Sequence, residues 1–255
     1  MKRTLALGYG IVAYVLFLGT FLYAIAFVGN LRVPITVDSG RSAPALEAVV
    51  IDALLLGLFA VQHSVMARPA FKQKWTRLVS WHLERTTFVL AATLALALVL
   101  WQWRPIPAVI WDVRGTVLGT VLTVLFWVGW GILLWSTFLI DHFELFGLEQ
   151  VWTLVKAREF HRPAFKTPLF YQWVRHPIYL GFLIAFWAAP VMTAGHLLFS
   201  IATSGYILVG VYFEERDLVR AFGEVYIEYK RRVPMLIPIG KRYVYKPSAA
   251  TDMGR

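Results

Sequence analysis

Apolar positions along the chain gather into long runs rather than alternating with polar ones. Four runs, at 5–28, 46–66, 86–103 and 117–140, are each about 20 residues long and carry almost no charge, which is what a helix needs to cross ~30 Å of hydrocarbon. Two more lie within 178–213, where Pro190 and Gly195 break the pattern near 189–196. The first of this pair is short for a full span, so the pattern predicts a hairpin with one arm tilted or only partly inserted. The fold class predicted is all-α: a polytopic membrane helix bundle with five to six transmembrane segments, the last two forming a helical hairpin, plus a cytosolic C-terminal helix. No internal repeat stands out. The organisation read from this is one integral membrane domain, with transmembrane helices over 1–140, a second region over 141–240 and a disordered tail from about 241 to 255.

Composition sharpens the picture. Of 255 residues 58% are hydrophobic and only 16% charged, too little charge for a soluble domain of this length. Lys+Arg number 25 against 15 Asp+Glu, a net charge of +10 that would suggest nucleic acid in a soluble protein. Here the bases sit between the runs: Lys2 and Arg3; Arg68, Lys72, Lys74, Arg77 and Arg85; Lys156, Arg158, Arg162, Lys166 and Arg175; then Arg216, Arg220 and Lys230 to Arg232. That alternation is topogenic, and it predicts an even number of crossings with both termini cytosolic and no nucleic-acid partner. The N-terminal run resembles a signal peptide in its Lys2-Arg3 start, yet it is longer than such a segment and reads as a retained first span. Trp81, Trp103, Trp111 and Trp173 stand at run ends, where interfacial indoles are expected. The absence of cysteine excludes disulfides, thiolate metal sites and cysteine nucleophiles, and no metal site is read.

Four polar clusters fall at the cytosolic ends of these runs. Gln62, His63 and Ser64 close the second; Asp141, His142, Glu144 and Glu149 follow the fourth; Arg175 and His176 precede the fifth; Glu214 and Glu215 close the sixth. Singly, each has a plain explanation as a helix end or an interfacial anchor. Four at one depth point instead to a site, because acids at a membrane edge are costly to keep. Pro177 suits the first turn of a helix, whose N-terminal N–H groups form a seat for a carboxylate. The non-spanning stretch 141–175 is too long for an idle connector.

The chain then reads RHPIYLG at 175–181, EERDL beginning 33 residues after Gly181, and FGEVYIEYKRRVPMLIP at 222–238. This order and spacing resembles the C-terminal half of membrane methyltransferases of the isoprenylcysteine carboxyl methyltransferase and phospholipid methyltransferase type. AVQHSVMARPAFK, DHFELFGLEQVW and HRPAFKTPLFYQWVRHP further resemble the nurim-like branch, and the likeness covers residues 5–240. Within that branch the chain is similar to bacterial enzymes whose acceptor is methanethiol and whose product is dimethyl sulfide. The resemblance implies S-adenosyl-L-methionine as cofactor, bound through His176, Pro177, Tyr179, Gly181 and Glu214, with Tyr171, Arg175 and Glu215 as weaker assignments. It also implies a bacterial inner membrane with lipid around the bundle. One departure bears on the acceptor. The carboxyl methyltransferases carry an arginine one helical turn before the glutamate pair, and here that place falls at about Gly210, which leaves no clamp for a carboxylate and favours a small neutral thiol.

The cofactor's amino-acid tail needs an anion for its ammonium and donors for its carboxylate. Glu214 or Glu215 answers the first need, Arg175 and the N–H groups near Pro177 the second. Tyr171, Tyr179 and Trp173 offer ring faces to the adenine or to the sulfonium. A thiol reacts as its thiolate, so a base is expected among His142 and Asp141, then His63 and His161. The rival readings are a methyltransferase for an isoprenylcysteine or a phospholipid headgroup, a nurim-like membrane protein without turnover, and a transporter. Polar groups gathered at one face rather than at the midplane argue against the last.

Overall fold

In chain order the elements are α1 (Arg3–Val28), α2 (Ala45–Ala67), α3 (Pro69–Trp75), α4 (Trp81–Gln102), β1 (Val109–Asp112), α5 (Val117–Ile140), α6 (His142–Leu145), α7 (Leu148–Lys156), a 3-10 turn (Leu169–Gln172), α8 (Pro177–Trp187), β2 (Val191–Thr193), α9 (Ala194–Phe222) and α10 (Glu224–Arg232). These come from a computed structural model that describes residues 3–158, 164–240 and 242–245. Among the described residues five helices, α1, α2, α4, α5 and α9, are long and apolar enough to cross a membrane. Large apolar side chains such as Val15, Leu54, Val124 and Trp135 remain exposed on their outer faces, as hydrocarbon-facing surface requires. The all-α polytopic bundle expected from the pattern is the observed architecture. His161 and most of the tail (246–255) lie outside the described residues.

The fifth apolar run is the short one, as its length foretold. Helix α8 has 11 residues, about 16 Å, and then the chain extends through Ala188–Thr193. Six extended residues add about 20 Å, so helix and extended segment together reach across ~30 Å. The bare backbone is satisfied by protein: β2 pairs antiparallel with β1, Val113 N donates to Pro190 O at 2.9 Å, Ala194 N to Ala108 O at 2.8 Å, and the Trp111 indole to Ala189 O at 3.0 Å. This two-stranded ladder was not foreseen. It places the α8–α9 turn with the α1–α2 and α4–α5 connections on one face, opposite the polar helix ends. Trp103, expected at an interface, is instead fully buried in the core, its indole donating to Val37 O at 3.0 Å.

An aromatic core joins the helices toward the ends opposite the polar face. Phe27, Trp103 and Phe199 meet edge-to-face at 5.7–6.0 Å, and Phe126, Trp130 and Phe186 continue the cluster. Helices α5 and α8 approach most closely through two glycines. A Cβ on Gly129 would stand 2.7 Å from Gly181 O, and one on Gly181 would stand 2.6 Å from Gly129 O. At the polar face, Gly147 turns α6 into α7 at φ +83° and lies so close to α4 that a Cβ would meet Thr86 N at 2.6 Å; the Thr86 hydroxyl donates to Gly147 O at 3.0 Å.

Gly129→Ala and Gly181→Ala should each cost about 1–3 kcal/mol by overpacking against backbone that cannot rotate away. Gly205→Ala on α9, where a Cβ meets nothing within 4 Å, should be neutral or gain up to about 1 kcal/mol from helix propensity. Thermal midpoints of the detergent-solubilised protein distinguish the two classes.

Candidate active site

The two adjacent glutamates of α9 point to different neighbours, because consecutive helix residues are turned about 100° from each other. Glu215 is buried and saturated: its Oε1 accepts from Arg175 Nε at 2.7 Å and lies 3.2 Å from His176 Nε2, and its Oε2 is 2.6 Å from Lys230 Nζ. Arg175 also donates to Lys230 O at 3.0 Å and to Val233 O, while the backbone N–H groups of Arg175 and His176 donate to Pro234 O and Met235 O at 2.9 and 3.2 Å. Arg175, His176 and Glu215 thus fasten the start of α8 to α9 and to the segment after α10. The Arg175 side chain is spent on these partners rather than left open toward a ligand. Pro177 starts α8, and Gly181 lies at the crossing with α5. Tyr171 is buried between α5 and α10: its hydroxyl lies 3.4 Å from Ser136 O, and its carbonyl accepts from the Tyr229 hydroxyl at 2.6 Å. Burial, aided by the Glu214 charge, pushes the Tyr171 hydroxyl pKa up.

Glu214 faces a different set of groups. Its Oε2 accepts from the Tyr179 hydroxyl at 2.8 Å. Tyr179 in turn feels the charges of Arg68 and Arg85 and lies near Tyr206. His63 meets the same neighbourhood from α2: its Nδ1 is 2.7 Å from the Tyr206 hydroxyl, and the Ser64 hydroxyl donates to that oxygen at 3.3 Å. Phe59 stacks on the His63 ring at 5.5 Å, with Phe88 at 5.0 Å on another side. Among the described residues His63 Nε2 has no hydrogen-bond partner. Tyr179, Glu214, Tyr206 and His63 therefore form one polar patch, lined by rings, between α2, α4, α8 and α9.

Asp141 and His142 take other roles. The Asp141 carboxylate caps α6, accepting from Glu144 N at 3.1 Å. His142 is buried in a box of Tyr14, Phe138, Phe143 and Phe146, stacked on Phe138 at 4.2 Å. Both its ring nitrogens are engaged, Nε2 with the Tyr14 hydroxyl and Nδ1 with the Thr137 hydroxyl, each at 2.8 Å. Thr137 gives its proton to Leu134 O at 2.7 Å, so His142 Nδ1–H donates to Thr137 and Nε2 accepts from Tyr14. In this arrangement both ring nitrogens of His142, expected as the first base candidate, are taken by protein groups. Tyr206, Arg68 and Arg85 were missed as site residues. The arginines read as loop charges, and Tyr206 lies inside an apolar run with only the neighbouring Thr203-Ser204 as a polar signal. Among the described residues no group of three or more His, Asp or Glu has the arrangement of a metal site.

The chain is 55% identical over 243 residues to methanethiol S-methyltransferase of Mycobacterium tuberculosis, covering 95% of this chain and all of that protein. It is 56% identical over 236 residues to methanethiol S-methyltransferase 1 of Bradyrhizobium diazoefficiens, covering 92% of this chain and 83% of that protein. The chain belongs to the methanethiol S-methyltransferase family. That membership makes it a methyltransferase. Rat Nurim is a more distant relative, 32% identical over 184 residues covering 68% of this chain and 69% of Nurim, which agrees with the nurim-like branch. No protein-family model matches the chain, and no solved structure matches it.

Removing the Glu215 carboxylate (Glu215→Ala) should cost about 3–5 kcal/mol, because it strands buried cations. Asp217→Ala, which breaks the half-exposed pair with Arg68 at 3.0 Å, should cost about 0–1 kcal/mol. Chemical or thermal unfolding in detergent measures both. Burial also holds the His142 imidazole below its ordinary pKa. The folded state then binds fewer protons than the unfolded one, so this contribution is complete above about pH 6.5 and is lost as pH falls from there through the folded value. Acidification from about pH 7.5 to 5.5 should lower the thermal midpoint, and His142→Gln should flatten that slope.

Proposed function

We propose that the protein transfers a methyl group from S-adenosyl-L-methionine to methanethiol, forming dimethyl sulfide, at the polar patch between α2, α4, α8 and α9. The observation that carries this reading is the presence of two polar contacts, Glu214–Tyr179 and His63–Tyr206, toward the polar ends of α2, α8 and α9 in a chain of this family. The residues present suit the cofactor. Glu214 keeps its Oε1 free for an ammonium, while Tyr179, Tyr206, Phe59 and Phe88 supply ring faces that attract a sulfonium. When bound, S-adenosyl-L-methionine supplies an electrophilic methyl on a positively charged sulfur.

His63 receives the thiol proton. In the tautomer that donates Nδ1–H to the Tyr206 oxygen, Nε2 carries the lone pair that takes this proton. Loss of that proton leaves the thiolate that forms the new carbon–sulfur bond. Packing of Phe59 and Phe88 beside His63 excludes water from the reacting sulfur. Position 210 itself is glycine rather than a cation, and a Cβ there would meet nothing within 4 Å among the described residues, so this position offers an acceptor carboxylate no partner. The bilayer concentrates a small apolar thiol and carries off a more apolar product.

The face bearing the patch is the cytosolic one and the membrane a bacterial inner membrane. Arg68, Lys72, Arg85, Arg175 and the bases after Phe222 all stand on that face, and cationic segments are retained inside. Both termini then lie in the cytosol, and lipid surrounds the bundle.

Membranes given methyl-labelled S-adenosyl-L-methionine and methanethiol should release labelled dimethyl sulfide into the headspace. Label in lipid or in a prenylcysteine ester instead would overturn the assignment. His63→Gln should lower turnover by about 10²–10⁴-fold. His142→Gln, compared at equal folded fraction, should stay within about threefold of the parent.

A further inference from the structure

With Arg175 committed to Glu215, Lys230 O and Val233 O, the donor for the cofactor carboxylate has to come from elsewhere. Arg85, in the second turn of α4, has the necessary features. Its side chain is half-buried, its Nε donates to Leu145 O at 2.8 Å, and its guanidinium carbon lies 5.4 Å from the Phe88 ring centre. The two terminal nitrogens have no hydrogen-bond partner among the described residues, and the side chain makes no ion pair within 4.0 Å there. A guanidinium held this way is oriented before any ligand arrives, and its free fork matches a carboxylate.

The charges around Arg85 narrow the choice of anion. Glu84 on its own helix is 3.8 Å from Lys72. Glu144 on α6 interacts with Arg85 through space but shares its field with Lys72 and Lys166, and burial pushes its carboxyl pKa up. Lys72 on α3 and His63 on α2 also feel Arg85, and neither is an anion. Glu214 on α9 and Tyr179 on α8 complete the surroundings. Arg85 and Glu214 make no ion pair within 4.0 Å; Arg85 lies on Phe88, which lies 5.0 Å from the His63 ring, on the side of α4 that faces the Glu214–Tyr179 pair. The Tyr179 hydroxyl holds Glu214 Oε2 and leaves Oε1 available. A cation and an anion kept apart in this way fit a zwitterion.

We infer that Arg85 and Glu214 together bind the amino-acid end of the cofactor, Arg85 taking the carboxylate on its terminal nitrogens and Glu214 taking the ammonium. The inference rests on the S-adenosyl-L-methionine reading above. It assigns to α4 a role that the RHPIYLG segment alone cannot fill, and it orients the cofactor with its amino-acid end between α4 and α9.

Binding of two ligands to the full-length detergent-solubilised protein by calorimetry tests this. S-adenosylhomocysteine carries the zwitterion; 5′-methylthioadenosine keeps the adenosine and thioether but lacks it. Arg85→Gln should weaken S-adenosylhomocysteine by about tenfold or more and leave 5′-methylthioadenosine within about twofold. Arg85→Lys keeps the charge but loses the fork, so it should fall between the parent and Arg85→Gln. Glu214→Gln should show the same selectivity. Equal weakening of both ligands by both Arg85 variants, or no weakening of S-adenosylhomocysteine, overturns the inference. If the parent protein binds neither ligand, it is the cofactor reading that fails.

Discussion

A carboxylate buried near the end of a membrane helix has to be neutralised on the spot, and Glu215 meets that demand with Arg175, His176 and Lys230 at once. The rest of the polar face depends on this junction. It fixes where α8 begins relative to α9, and it brings the segment after α10 over the Arg175 and His176 backbone. With Glu215 held, the rotation of α9 is set, and Glu214 is turned toward Tyr179 and the α2–α4 side. Two adjacent residues of one type therefore divide the work: one closes the structure and its neighbour is left for chemistry.

Histidines show the same division. His142 and His63 both stand at helix ends on one face, and both lie among aromatic rings. The difference is in what their second nitrogen meets. Thr137 and Tyr14 consume both nitrogens of His142, whereas Tyr206 consumes only one of His63. Counting donors and acceptors separates a structural imidazole from an available one where residue type and depth do not.

Much of this was legible in the residue order. Uninterrupted apolar runs give the spans, base distribution gives their alternation, and the short run before Pro190 reports a half-length helix. RHPIYLG and EERDL meet in the structure, through Arg175 and His176 with Glu215 and through Tyr179 with Glu214. What the order of residues does not carry is how side chains share partners across the fold. Arg175 looks like a ligand donor until Glu215 and two carbonyls are seen around it. Arg85 looks like a loop charge because the apolar run begins at Thr86; the helix actually starts at Trp81 and carries the arginine inward. Trp103 reads as an interfacial anchor because run ends usually are, yet a carbonyl from the α1–α2 connection satisfies its indole inside the core. Pairing of β1 with β2 joins residues some 80 positions apart, beyond the reach of any local pattern.

That ladder has a consequence for biogenesis. A stretch of bare backbone at membrane depth is tolerated only where other protein supplies its hydrogen-bond partners. Residues 188–195 find theirs on Ile106, Ala108, Trp111 and Val113, all made earlier in synthesis. The last hairpin thus lacks the autonomy of an ordinary membrane-inserting helix pair. It enters against a docking edge already presented by the first four spans, so the order of translation doubles as an order of assembly. The Tyr179–Glu214 contact, made within that hairpin, comes into being only when the last helix has been laid down.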